Sequence, residues 1–133
     1  MSSKISKNHK KYFLKIHLIL VCKYRKKLLI GQIEAEIKKY MVEICSQSSS
    51  RIDIMENDKD HIHLLLDITP NHSISSIVNR LKSISINRIW KRHKTFLQKH
   101  FWKEKTFWSD GYFVSSIGDV NPETVRKYIE NKG

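Results

Sequence analysis

Histidines 61 and 63 are the first residues in this chain whose spacing points to chemistry. They close the run Asp58-Lys59-Asp60-His61-Ile62-His63, which continues into Leu64-Leu65-Leu66. Ile62, Leu64, Leu66 and Ile68 recur at every second position, the period of a strand. Alternate strand side chains point to opposite faces, so His61 and His63 share the face opposite that apolar row. They stand about 7 Å apart, from a rise of ~3.3 Å per residue, and two imidazoles so placed can hold one divalent metal. The same pattern also fits two polar residues on the wet side of a half-buried strand, so the triplet alone leaves both readings open.

The elements that must position this pair follow from periodicity. Tyr12 to Cys22 alternates, with Leu14, Ile16, Leu18 and Leu20 on one face, and predicts a long first strand. Lys23-Tyr24-Arg25-Lys26-Lys27 is a basic turn. Ile33, Ile37, Tyr40, Met41 and Ile44 repeat at helical spacing and predict an amphipathic helix over 30–45. After a break at Gln47–Ser50, Arg51–Glu56 reads as a short strand with Ile52 and Ile54 inward. Asn57–Asp60 turns it back into the histidine strand, which Thr69-Pro70-Asn71 ends.

Ser73 caps a second helix marked by Ile74, Ile77, Val78 and Leu81, running to about His93. Residues 94–109 show no clear period. Tyr112–Ile117 is strand-like. Asn121-Pro122-Glu123 starts a short last helix over Val125–Asn131: a cap, then proline at the first helical position, then an acid in the first turn. The order β-α-β-β-α-β-α predicts a single α+β domain over 1–133, a ferredoxin-like antiparallel sheet with helices packed on one face. The first strand would be an aggregation hazard if left unpaired.

Charge bounds the partners. Lys plus Arg number 25 against 13 acids, a formal +12. Residues 1–27 hold nine of these cations and no acid, and residues 80–105 hold nine more against Glu104 alone. Met1–Lys10 reads as a basic arm. The clusters interleave with Trp90, Phe96, Phe101, Trp102, Phe107 and Trp108, the make-up of a surface that tracks phosphates and stacks bases. The competing reading is a solvated face over core aromatics; an anionic membrane surface is the weaker partner class. The candidate nucleic-acid contacts are Lys23, Arg25, Lys26 and Lys27 in the turn, and Arg80, Lys82, Arg88, Lys91 and Arg92 in the second helix.

Cys22 and Cys45 match no zinc spacing and read as reduced core residues of a cytoplasmic protein. The longest apolar run, Leu18–Cys22, is far too short to span a membrane. A TIM-barrel metallohydrolase needs roughly 250 residues. A two-histidine phosphoesterase would need a second His-x-Ser/Thr, and His72-Ser73-Ile74 has the wrong pattern. With four glycines, Walker and Rossmann loops are absent.

Four features in this order resemble the HUH single-tyrosine transposases of the insertion-sequence 200/605 family. They are Cys22-Lys23-Tyr24-Arg25-Lys26-Lys27, the His61-Ile62-His63 triplet after a hairpin, Trp108-Ser109-Asp110-Gly111-Tyr112-Phe113, and Arg126-Lys127-Tyr128-Ile129-Glu130-Asn131. The resemblance runs from about Tyr12 to Asn131. It implies a homodimer whose sheets merge across a two-fold, which recognises hairpins at the element's ends and cuts and rejoins single-stranded DNA. It makes Tyr128 the nucleophile, leaving a 5′-phosphotyrosine, and His61 and His63 the ligands of Mg²⁺ or Mn²⁺. In the family the tyrosine helix of one subunit usually completes the other's site, and Gly118-Asp119-Val120 is the corresponding hinge.

The family carries Gln four residues after the tyrosine as a third ligand, whereas Lys132 stands there in this chain. An ammonium has no lone pair to give, while Asn131 offers a carbonyl oxygen suited to a hard cation; Asn131 or water is therefore the expected third donor. The alternative is a DNA-binding protein on the same fold without nicking activity.

Overall fold

Two strands with apolar residues at every second position make the centre of the sheet. The computed structural model describes residues 14–69, 73–116 and 122–132. β1 (Leu14–Val21) pairs antiparallel with β3 (His61–Ile68), Leu18 opposite Leu64 and Ile19 opposite His63. β2 (Arg51–Asn57) flanks β3, and β4 (Phe113–Ser116) flanks β1, giving the order β2-β3-β1-β4. β1 is thus interior and paired on both sides; the edges are β2 and β4. The basic arm 1–10, Tyr12, Pro70-Asn71, His72, Ile117, the 118–120 hinge and the Asn121 cap lie outside the described residues.

Helices α1 (Gly31–Gln47) and α2 (Ile74–His100) cover one face. Their Ile33, Ile37, Met41, Ile44, Ile77, Val78 and Leu81 meet Ile16, Leu18, Leu20, Ile62, Leu64 and Leu66 in one buried cluster. Area burial at ~25 cal/mol per Å² makes this row the main source of stability. Cys22 and Cys45 are buried thiols within it. Gly31 has φ +56, where the extended Ile30 backbone turns into α1 through the left-handed region. Ser73 caps α2, its hydroxyl accepting from the Ser76 amide at 3.1 Å. Helix α3 (Pro122–Lys132) ends the described chain. Among the described residues no helix is long and apolar enough to cross a membrane.

Three expectations change. Ile54 is not inward but exposed, because β2 carries a bulge between Ile52 and Ile54 that places Met55 opposite Leu64. α2 does not stop near His93 but bends there (φ −131, ψ 35) and runs on to His100. The bend shifts the helical phase, which is why 94–100 shows no period continuous with the turns before it. Most of the expected stacking aromatics are core: Trp90, Phe101, Phe107 and Trp108 are buried, and only Phe96 and Trp102 of that set are exposed.

The loop after α2 carries these rings inward. The Lys23 amide donates to the Phe107 carbonyl and the Ser109 amide to the Val21 carbonyl, both at 2.8 Å, so the loop seals the end of β1. Trp90 Nε1 donates to the Thr106 carbonyl (2.7 Å) and Trp108 Nε1 to Ser85 Oγ (2.9 Å). Ser85→Ala would leave the buried Trp108 N–H unmet. The expected cost is about 1–3 kcal/mol, read as a lower urea midpoint at unchanged slope.

Candidate active site

The sheet face away from α1 and α2 mixes polar residues with Ile19, Val21, Leu65 and Phe113, and the histidines stand on it. Cross-strand pairing lays out one row, Glu56–His63–Ile19–Phe113, through all four strands. His61 lies one row further along, opposite Val21, and His17 one row back, opposite Leu65. At a strand spacing of ~4.8 Å, Phe113 is about 10 Å from His63 across the sheet.

The hairpin turn that aims His61 is tied down on every side. The Cys22 amide donates to the Asp60 carbonyl (2.8 Å) and the Leu29 amide to the Lys59 carbonyl (2.9 Å), while Asn57 Nδ2 donates to Glu34 of α1 (2.9 Å). Asp60 Oδ1 lies 2.9 Å from His61 Nδ1, and its Oδ2 accepts from Arg25 Nε at 3.3 Å. Burial alone would raise the Asp60 pKa, but the hydrogen bonds from His61 and Arg25 outweigh it and hold the carboxyl below its usual range. An imidazole anchored at Nδ1 by a carboxylate keeps Nε2 for a ligand.

His63 meets a third histidine absent from the expected site. Its Nε2 lies 2.8 Å from His17 Nδ1, with the rings stacked 5.0 Å apart. One nitrogen of that pair must carry the proton and the other must accept, so at least one ring is not fully protonated. Burial, then the neighbouring His17, lowers the His63 pKa against the opposing pull of Glu56, whose Oε1 is 4.0 Å from Nδ1. His63 is therefore neutral at physiological pH, the form in which imidazole binds metals. In the sequence, only the wrong-parity polar residues Lys15 and His17 in the first strand hinted at this partner.

α3 brings Tyr128 to the same face. Its ring packs 5.5 Å from Phe113, at the end of the row that begins at Glu56 and passes His63. The hydroxyl is buried without a hydrogen-bond partner among the described residues, and burial pushes its pKa up to about 12. Asn131 is exposed, and the Lys132 side chain is outside the described set. Among the described residues no three His, Cys, Asp or Glu side chains gather into a metal cluster. Of the expected ligands, His61 keeps its Nε2 without a hydrogen bond among the described residues, whereas the His63 Nε2 already meets His17.

The candidate DNA cations are distributed unevenly. Lys23 pairs with Glu104 (3.1 Å), Arg88 with Glu43 (2.6 Å) and Arg92 with Glu36 (3.1 Å). Arg80 donates to Ser48 Oγ, and Lys82 to the Ser109 and Gly111 carbonyls. Lys27 and Lys91 are exposed and Lys26 half-buried.

The family model described as "Transposase IS200 like" matches residues 10–132. The chain belongs to that family. The ISDra2 transposase TnpA of Deinococcus radiodurans is 31% identical over 121 residues, 91% of this chain and 85% of the relative. The transposase for insertion sequence element IS200 of Salmonella typhimurium is 28% identical over 132 residues, 99% of this chain and 85% of the relative. A crystal structure of a protein from D. radiodurans R1, described as a transposase, superposes with TM-score 0.84 at 28% identity, covering 99% of this chain and 98% of that one. The fold also matches a REP-associated tyrosine transposase bound to a REP hairpin, with TM-score 0.54 at 12% identity, covering 99% of this chain and 70% of that one.

The raised Tyr128 pKa gives a test within this IS200-like chain. Its folded value lies above the unfolded value near 10, so its contribution to stability is constant below pH 10 and is lost as pH rises toward 12. Phenolate absorbance should show a late component near pH 12 that vanishes in Tyr128→Phe.

Proposed function

We propose that this IS200-family transposase cuts and rejoins single-stranded DNA through Tyr128, with His61 and His63 holding Mg²⁺ or Mn²⁺. The supporting observation is that Tyr128, on Phe113, shares one sheet face and one cross-strand row with His63. Within one chain the Tyr128 ring packs on Phe113.

In the cleavage step Tyr128 Oη attacks the scissile phosphorus. The new O–P bond is the 5′-phosphotyrosine; the P–O3′ bond breaks and its oxygen leaves as a free 3′-hydroxyl. Tyr128, with its pKa near 12, is almost wholly protonated at neutral pH, so its proton passes to solvent as the bond forms and the departing 3′-oxygen takes one up, with no net change in protons. Its hydroxyl has no hydrogen-bond partner among the described residues, which leaves it for the substrate. His61, fixed by Asp60, would present its Nε2 lone pair, neutral His63 would do so by giving up its Nε2 contact with His17, and Asn131 or water would add oxygen. A divalent cation bound there supplies charge neutralisation and orientation of the phosphate. The phosphotyrosine retains the energy of the broken bond, so attack by a 3′-hydroxyl can reverse the step without ATP. The basic turn and α2 would contact terminal hairpins of the element in a cytoplasmic homodimer.

The decisive assay uses single-stranded element ends with metal. Wild type should give a denaturant-resistant DNA adduct; Tyr128→Phe should bind the same DNA and give none. An adduct on the Phe variant would assign the nucleophile elsewhere. His63→Ala should lose cleavage and keep DNA binding, because binding rests on phosphates and stacking. Binding without an adduct in wild type would leave the chain a DNA-binding protein on this fold.

Asp60→Ala releases His61 from its anchor and should weaken Mn²⁺ affinity about 10- to 100-fold in an electron-paramagnetic-resonance titration. Unchanged affinity would remove Asp60 from the metal site.

A further inference from the structure

Two large aromatic side chains are neither core nor catalytic. Tyr24 is 58% exposed and Trp102 is 76% exposed. They rim an open pocket of about 470 Å³ completed by His100, Phe101, Lys103 and Glu104, a volume within the ~300–1,000 Å³ range of ligand sites. Phe101 is buried beneath it, its ring 6.4 Å from that of Tyr24.

The backbone holds Tyr24 there against its own preference. Tyr24 and Arg25 have φ of 59 and 52, a left-handed pair that costs on the order of 1–3 kcal/mol per residue. Hydrogen bonds across the turn fix it: the Arg25 amide donates to the Cys22 carbonyl at 2.8 Å and the Lys26 amide to the Lys23 carbonyl at 3.2 Å. The Tyr24 hydroxyl donates to Glu104 at 3.4 Å.

The pocket is also electrically suited to a polyanion. Its one acid, Glu104, is neutralised by Lys23 at 3.1 Å. Lys103 Nζ sits 4.6 Å from the Trp102 ring centroid. Burial and the nearby Lys26 charge lower the His100 pKa, so a second cation stands close to the lining. Aromatic faces flanked by cations are the make-up of a base-stacking site.

We propose that this pocket takes one unpaired nucleobase of single-stranded DNA, stacked on Trp102 and Tyr24, with Lys26 and Lys103 on the flanking phosphates. The proposal rests on the single-strand reading above and names a subsite for it. The Lys23–Arg25 turn lies against α3, so the base belongs to the strand offered to Tyr128. A duplex has no free base face and gains nothing from the pocket.

The test is fluorescence-anisotropy binding of labelled oligothymidine and of a blunt duplex to the full chain. Trp102→Ala should weaken oligothymidine binding about 5- to 100-fold, with Trp102→Phe close to wild type and the duplex unaffected. Oligothymidine should quench tryptophan fluorescence in wild type and in Tyr128→Phe but not in Trp102→Phe, because Trp90 and Trp108 are buried.

Wild-type oligothymidine affinity in Trp102→Ala would overturn the proposal, as would an equal loss on duplex. So would a fall in oligomer mass with DNA binding unchanged, which would assign the face to a second copy. If Trp102→Ala loses oligothymidine while wild type forms no tyrosine adduct, the pocket stands and the cleavage reading falls. If the adduct forms and Trp102→Ala binds normally, the pocket alone falls. If wild type does not bind oligothymidine, both fall.

Discussion

The antiparallel pairing of β1 with β3 sets two surfaces at once. Every second residue of both strands, Ile16, Leu18, Leu20, Ile62, Leu64 and Leu66, is committed to the helices. The intervening positions then have no choice but the other face, where Lys15, His17, His61, His63 and Asp67 gather. The site is the reverse side of the core, so a one-residue slip of register would bury the histidines and strand the leucines in water. The same pairing gives β4 a neighbour, and through Phe113 gives Tyr128 a seat.

Stiffness around the histidines has a local source. Asp60 joins the hairpin to His61 and Arg25, and its backbone carbonyl accepts from Cys22 at the end of β1. At the other end of the face, buried Asp67 accepts from Lys15 and Arg51 at 2.6 Å each, and Asp53 also pairs with both cations. Many of the 25 lysines and arginines serve such internal pairs. The composition therefore overstates how many cations are free for phosphate: Arg88 and Arg92 face Glu43 and Glu36 rather than open solvent.

What was legible in the sequence is what repeats within one element. The period-two runs gave β1 and β3, and the ordered cap, proline and acid before Val125 gave α3. The shared face of His61 and His63 needed only strand geometry. What was not legible depends on partners far along the chain. His17 meets His63 across 46 positions, and nothing local in the first strand says which residue it will face. The bend at His93 follows its bond to Glu36 of α1, and so escapes a helical wheel drawn on α2 alone. Aromatic residues in a basic segment look alike until packing sorts them, Trp108 inward on Ser85 and Trp102 outward.

The β2 bulge has a consequence for how this gene can vary. Asp53 is the extra residue: with it, Glu56 lies opposite His63 and Met55 opposite Leu64. Excising its codon would leave Arg51, Ile54 and Glu56 on the histidine face and Ile52 and Met55 on the core, because an even alternation would be restored. Asp67 would still hold both Lys15 and Arg51. Loss of Met55 instead would drive the Glu56 carboxylate toward the core unless the bulge closed. β2 thus carries one dispensable position among obligatory ones, and in-frame deletions should survive in descendants of this element at Asp53 before anywhere else in the strand.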